Sequence, residues 1–107
     1  MAASMTVADV LRAVRKKIER RECWTQNVVA RDSYGVPVVS TSEKACCWCL
    51  AGAIEFEVDN LQLWSDVICS FDEVLNGQNL VVFNETHTHA EVIEVLDRTI
   101  AVVEAAT

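Results

Sequence analysis

The ten residues from Ala45 to Ile54, Ala-Cys-Cys-Trp-Cys-Leu-Ala-Gly-Ala-Ile, carry no charge. A segment that is apolar on every side has no face to offer water, so the rest of the chain must enclose it. At ten residues it is about half of what a bilayer span requires, so burial inside protein is the expectation rather than burial in lipid. Ser42 suits an N-cap, and residues 43 to about 57 read as a helix at the centre of the fold. Gly52 inside that helix costs about 1 kcal/mol relative to alanine, which is tolerable where a neighbouring element must approach closely.

The segments around this run are amphipathic. From Thr6 to about Glu22, Val7, Val10, Leu11, Val14 and Ile18 fall on one helical stripe, and Arg12, Arg15, Lys16, Lys17, Arg20 and Arg21 lie off it. Thr6 with Asp9 makes a capping box in which Asp replaces the usual Glu. Asn60 opens a third helix whose stripe is Leu61, Trp64, Val67, Ile68, Phe71, Val74 and Leu75, with Asn76-Gly77 as its stop. Thr88 and Glu91 form a second capping box, and the last helix, to about Glu104, presents Val92, Val95, Leu96, Ile100 and Val103.

Between Trp24 and Thr41 the helical period disappears. Asn27-Val28-Val29-Ala30 and Val36-Pro37-Val38-Val39 flank a connection that opens on Arg31-Asp32 and closes on Gly35, the pattern of a hairpin spanning about 27–39. Pro37 has no N–H for a ladder, which places its strand at an edge. Leu80-Val81-Val82-Phe83 suits either a short third strand or a buried connector. The expected architecture is α+β: about four helices around a buried central one, with one small hairpin, forming a single compact domain over residues 1–107.

Four blocks then combine. They are Trp24-x-Gln26, Ala30-Arg31-Asp32-x-x-Gly35-x-Pro37-Val38, Trp48-Cys49-x-x-Gly52-Ala53, and Phe83-Asn84-Glu85 followed by Thr88-x-x-Glu91-Val92 and Leu96. In this order they resemble a family of small bacterial and phage proteins that share a domain of unknown function. Where that family tends to read Trp-Asn-Asp before the last helix, this chain has Phe83-Asn84-Glu85, which keeps an aromatic, an amide and an acid. The resemblance implies a common fold and brings no activity with it.

Charge is distributed unevenly. Residues 1–50 hold eight Lys or Arg against five Asp or Glu, a balance of +3, and residues 51–107 hold only Arg98 against eleven acids, a balance of −10. Nucleic acid is a poor partner for a chain of net charge −7, and no aromatic residues interleave with its basic ones. An acidic second half instead suits a basic protein partner. The N-terminus shows no signal-peptide core, so a cytoplasmic setting is expected, in which the five cysteines at 23, 46, 47, 49 and 69 remain thiols.

The leading expectation is a non-enzymatic interaction or regulatory protein that uses its acidic half for protein contacts. A homodimer is compatible with it, because Trp48 and Trp64 lie on apolar faces. The alternative is a small-molecule or metal-binding protein, with a small enzyme among its forms. Cys46-x-x-Cys49 and His87-x-His89 would offer zinc two thiolates and two imidazoles, and Cys46 in the first turn of a helix would be an activated thiol. A third constellation, Gln26, Arg31, Asp32, Asn84, Glu85 and Thr88, places polar groups beside apolar elements. It reads as a hydrogen-bonded cluster joining the hairpin to the last loop, and as the place for a ligand pocket if there is one.

Overall fold

The computed structural model describes residues 5–106. Their elements run α1 (Val7–Lys17), a 3₁₀ turn (Arg21–Cys23), β1 (Ala30–Arg31), β2 (Pro37–Val38), β3 (Cys47–Trp48), α2 (Leu50–Glu57), α3 (Leu61–Ser70), α4 (Asp72–Leu75), α5 (Leu80–Thr86) and α6 (His89–Ala105). The fold is α+β, with six helices and one three-stranded sheet among the described residues. None of these helices is long and apolar enough to cross a membrane.

The two capping boxes form as expected. The Thr6 hydroxyl accepts from the Asp9 amide and the Asp9 carboxylate accepts from the Thr6 amide, while Thr88 and Glu91 repeat the exchange at α6. The backbone N–H of each cap holds its carboxyl below the usual carboxylate range. Because these folded-state values are lowered, the contributions are present at neutral pH and are lost as the pH falls through them. α1 ends at Lys17 rather than near Glu22, and the chain tightens into the 3₁₀ turn. Asn76 and Gly77 both adopt positive φ after α4, as the expected stop requires.

One fully buried cluster joins the helices: Val10, Leu11, Val14 and Ile18 of the first segment, Leu50, Ala53 and Ile54 of α2, Val67 and Phe71 beside α3, and Val92 and Leu96 of α6. α1 packs against α2, α3 and α6, and α2 against α3 and α5.

Three expectations need correction. The buried helix begins at Leu50 and not at Glu43, because Cys47–Trp48 is a strand. An apolar run has no period and suits an enclosed strand as well as an enclosed helix. Here the open edge of β1 decides, with Cys46 N–H donating to Arg31 O at 2.9 Å and Cys49 N–H to Val29 O at 3.1 Å. Cys49, not Ser42, is the N-cap, its sulfur accepting from Gly52 N–H at 3.2 Å. Residues 80–83 are not a third strand but the start of α5, capped by Asn79, whose side-chain Oδ1 accepts from Val81 and Val82 N–H. The third helix is likewise two, α3 and α4, meeting at Phe71.

The sheet order is β2-β1-β3, antiparallel throughout, with Ala30 opposite both Val38 and Trp48. The hairpin ladder is shorter than residues 27–39, and Pro37 lies on the edge strand. Asp32 Oδ1 accepts from Tyr34 and Val36 N–H, and Gly35 has φ +80°. A parallel bridge between Trp24 and Trp48 closes the far side of β3.

Gly52 is where helix and sheet meet. A Cβ there would lie 2.0 Å from Val29 O, the same carbonyl that receives Cys49 N–H. Gly52→Ala gains about 1 kcal/mol of helix propensity but forces backbone from backbone, a larger cost of about 3 kcal/mol. Urea unfolding is expected to show a net loss of about 2 kcal/mol, whereas a gain in stability would mean that Val29 is free to move away.

Candidate functional site

The polar constellation assembles around Asn84, the first residue of the Asn84-Glu85-Thr86 end of α5 and only 1% exposed. Its carbonyl oxygen accepts from the Trp24 indole N–H at 2.7 Å and from Leu50 N–H at 3.0 Å. Its amide nitrogen donates to Thr25 O at 3.2 Å and to Glu85 Oε2 at 3.3 Å. One side chain thus binds the segment before β1, the first residue of α2, and its own neighbour. All four of its hydrogen-bonding positions are used.

Gln26 and Glu85 reinforce the junction from either side. Gln26 Nε2 donates to Asn84 O at 2.9 Å and to His87 O at 3.1 Å, satisfying carbonyls at the end of α5. Both Glu85 oxygens accept from Asn27 N–H. Asn27 has φ +75°, a left-handed backbone that asparagine tolerates better than most residues. Arg31 completes the loop, donating to Thr25 Oγ1 at 2.8 Å, Gly35 O at 3.0 Å and Gln26 O at 3.3 Å.

The structure therefore brings together Gln26, Arg31, Asn84 and Glu85. Asp32 is set apart in the hairpin turn and Thr88 is occupied as the cap of α6. The sequence reading missed Trp24 and Thr25, which share the junction. A tryptophan N–H needs a partner when it packs into a core, and that requirement was the available signal. Buried Ser40, also missed, donates to Glu55 at 2.5 Å, while its carbonyl takes the Trp48 indole N–H at 2.9 Å.

The thiols and imidazoles proposed for zinc do not converge. Among the described residues no three His, Cys, Asp or Glu side chains gather where they could hold a metal ion. Cys49 is buried at the head of α2, and burial pushes its thiol pKa up. Cys46 is exposed in the loop before β3, outside any helix, so the dipole activation expected of it has no source. Burial raises the Cys47 thiol as well.

The two histidines line a cleft of about 430 Å³ with Arg21, Trp24, Gln26 and Thr88. His87 stacks on Phe83 with ring centroids 3.8 Å apart, and its Nδ1 lies 2.9 Å from Phe83 O. His89 Nε2 lies 2.7 Å from Ile18 O. A carbonyl only accepts, so the neutral rings carry their protons on opposite nitrogens, leaving Nε2 of His87 and Nδ1 of His89 as acceptors.

The junction's worth lies in polar groups that would be stranded without it. Asn84→Leu leaves the Trp24 indole, Leu50 N–H and Thr25 O unpaired inside the fold, at about 1–3 kcal/mol each. A stability loss of about 4 kcal/mol, with displacement of the Trp24 indole signal in a ¹H–¹⁵N spectrum, is the expected outcome. A loss below about 1 kcal/mol would show that the amide is dispensable.

Residues 2–102 match the model of the family of unknown function DUF6197, and the chain belongs to that family. No curated protein and no solved structure matches it.

Proposed function

We propose that this DUF6197 member is a non-enzymatic protein-interaction module of the cytoplasm that meets a basic partner with the acidic surface of its second half. The observation that supports this reading is where the counter-charges fall. Basic α1 faces α6 and α2: Arg12 pairs with Glu104 at 2.7 Å, Arg15 with Asp97 at 2.9 Å, and Lys17 with Glu57 at 3.5 Å. Those contacts occupy three acids of the second half. Asp59, Asp66, Asp72 and Glu73, around α3 and α4, are exposed and have no ion pair among the described residues.

The same pairing weakens the case for phosphate contacts through α1, since Arg12, Arg15 and Lys17 already have carboxylates. Lys17 is further committed, its ammonium 4.3 Å from the Trp48 ring centroid and 3.7 Å from that of Phe56. The saturated Asn84 junction favours a structural role for the polar constellation over a ligand site.

A second reading, small-molecule or zinc binding, draws its support from the acceptor nitrogens of His87 and His89 in one cleft. Elemental analysis of untagged protein separates the two, because about one zinc per chain, lost on His87→Ala, would favour the second.

The interaction reading is tested by replacing these four acids around α3 and α4 together, as Asp59→Asn, Asp66→Asn, Asp72→Asn and Glu73→Gln. The unfolding midpoint should change little, because no ion pair is broken. Partners captured from a host extract at about 50 mM NaCl should dissociate by about 0.3 M, where screening shortens to several ångströms, and the neutralised protein should not retain them. Equal capture by both proteins at high salt would overturn the reading.

A further inference from the structure

We propose that the groove between α3–α4 and the start of α5 is the docking site for a short, basic, amphipathic helix of the partner protein. This rests on the acidic-contact reading above and adds to it a place and a binding mode.

The groove has a volume of about 320 Å³, with Ala51, Trp64, Ile68, Leu75, Leu80 and Val81 among its walls. Its apolar surface continues beyond those walls. Leu61 precedes Trp64 by three residues and Ile68 by seven, the spacing of one helical face, and it is 83% exposed. Val81 is 47% exposed on the opposing helix. A stripe that is core at Phe71 and Leu75 thus runs out into solvent at Leu61, where nothing in the described chain covers it.

Trp64 differs from the other two tryptophans. The Trp24 and Trp48 indoles donate to Asn84 and Ser40, whereas the indole of Trp64, half-buried in the groove wall, makes no hydrogen bond among the described residues. An indole with an apolar body packed and its N–H unspent is the kind of group on which protein contacts concentrate their energy.

Charge selects the occupant. Asp59 lies just before α3 and Asp72 at the head of α4, so the two acids bracket the stripe, and Asp72 itself lines the groove. The one base of the second half, Arg98, lies on α6 and lines other clefts beside Glu94. A second copy of this chain would set Asp59 and Asp72 against their own equivalents, so the surface disfavours self-association. A helix seated between two helical walls, with apolar residues at i, i+3, i+4 and i+7 and Lys or Arg toward both ends, satisfies floor and rim together. α3, which lies between Asp59 and Asp72, is ten residues long, roughly 15 Å at 1.5 Å per residue, so about 14 residues of partner helix span it with a turn to spare.

The test titrates the ¹⁵N-labelled full chain with a Leu/Lys amphipathic peptide of about 14 residues and with its Leu/Glu counterpart. The Leu/Lys peptide should move the Trp64 indole signal and the amides of Leu61 and Val81, leaving the Trp24 and Trp48 indoles in place. Leu61→Glu and Val81→Glu, both at exposed positions, should each weaken binding about tenfold or more, because a carboxylate enters an apolar contact, although each makes the protein more acidic. Unchanged or tighter binding by these variants, or shifts spread over the acidic surface with Trp64 still, would overturn the groove while leaving the acidic-contact reading standing. Equal shifts with the Leu/Glu peptide would overturn the basic occupant. Binding that survives Asp59→Asn with Asp72→Asn and is indifferent to salt would instead overturn the acidic-contact reading itself.

Discussion

The buried amide of Asn84 is the point on which the non-helical part of the fold depends. Three segments distant in sequence reach it: the Trp24–Thr25 stretch, the head of α2 at Leu50, and α5 itself. Each arrives with a polar group that has lost its water. An isolated amide N–H or carbonyl in such a place costs about 1–3 kcal/mol, so the three segments are stable together only with a side chain that both accepts twice and donates twice. Of the residues available, asparagine and glutamine have that valence. Asparagine reaches it with one fewer rotor to immobilise.

From that junction the geometry of the sheet follows. With Trp24–Thr25 held against α5, the chain bends through residues 26–29 into β1, and Val29 O is brought over the first turn of α2, where only a glycine leaves room. The same carbonyl accepts Cys49 N–H, so the strand made by Cys47–Trp48 turns into α2 at the residue that touches it. Cys49 then caps the helix with its own sulfur and is sealed from solvent. Its burial has a chemical consequence, since a thiol held in apolar surroundings is a weak nucleophile and a poor metal ligand at neutral pH.

What could be read in the sequence depended on whether a segment announced its period. α1 and α6 did, because each has one apolar stripe and a capping box, Thr6 with Asp9 and Thr88 with Glu91, that marks its first turn. Ala45 to Ile54 did not, since a run that is apolar on all sides looks the same as an enclosed strand or an enclosed helix, and β1's open edge decided the matter from outside the run. Leu80 to Phe83 was ambiguous for want of length; Leu80, Phe83 and Asn84 turn inward at helical spacing while Val81 and Val82 face out. The polar cluster was legible as a group because Gln26, Arg31, Asn84 and Glu85 sit beside apolar elements. Its centre was not, because the Trp24–Asn84 bond spans 60 residues and no local pattern records it. Cys46, Cys49, His87 and His89 had ligand-like spacing, but spacing fixes neither the direction of a side chain nor its burial.

The charge asymmetry between the halves gains its meaning from the packing. α1 lies across α2 and α6, so the positive half folds onto part of the negative half, and its cations face Glu57, Asp97 and Glu104. The Arg12 and Arg15 pairs are largely solvated, and solvated pairs contribute about 0–1 kcal/mol each. Their larger effect is on the field around the molecule. They cancel part of the charge along α2 and α6, while Asp59, Asp66, Asp72 and Glu73 remain exposed and without an ion pair among the described residues, beside the apolar stripe that the core leaves open at Leu61. An acidic surface spread evenly over a small protein serves solubility. On the proposed interaction reading, acids set beside a half-buried tryptophan and an exposed leucine would give an approaching cation a direction that ends where apolar contact can hold it.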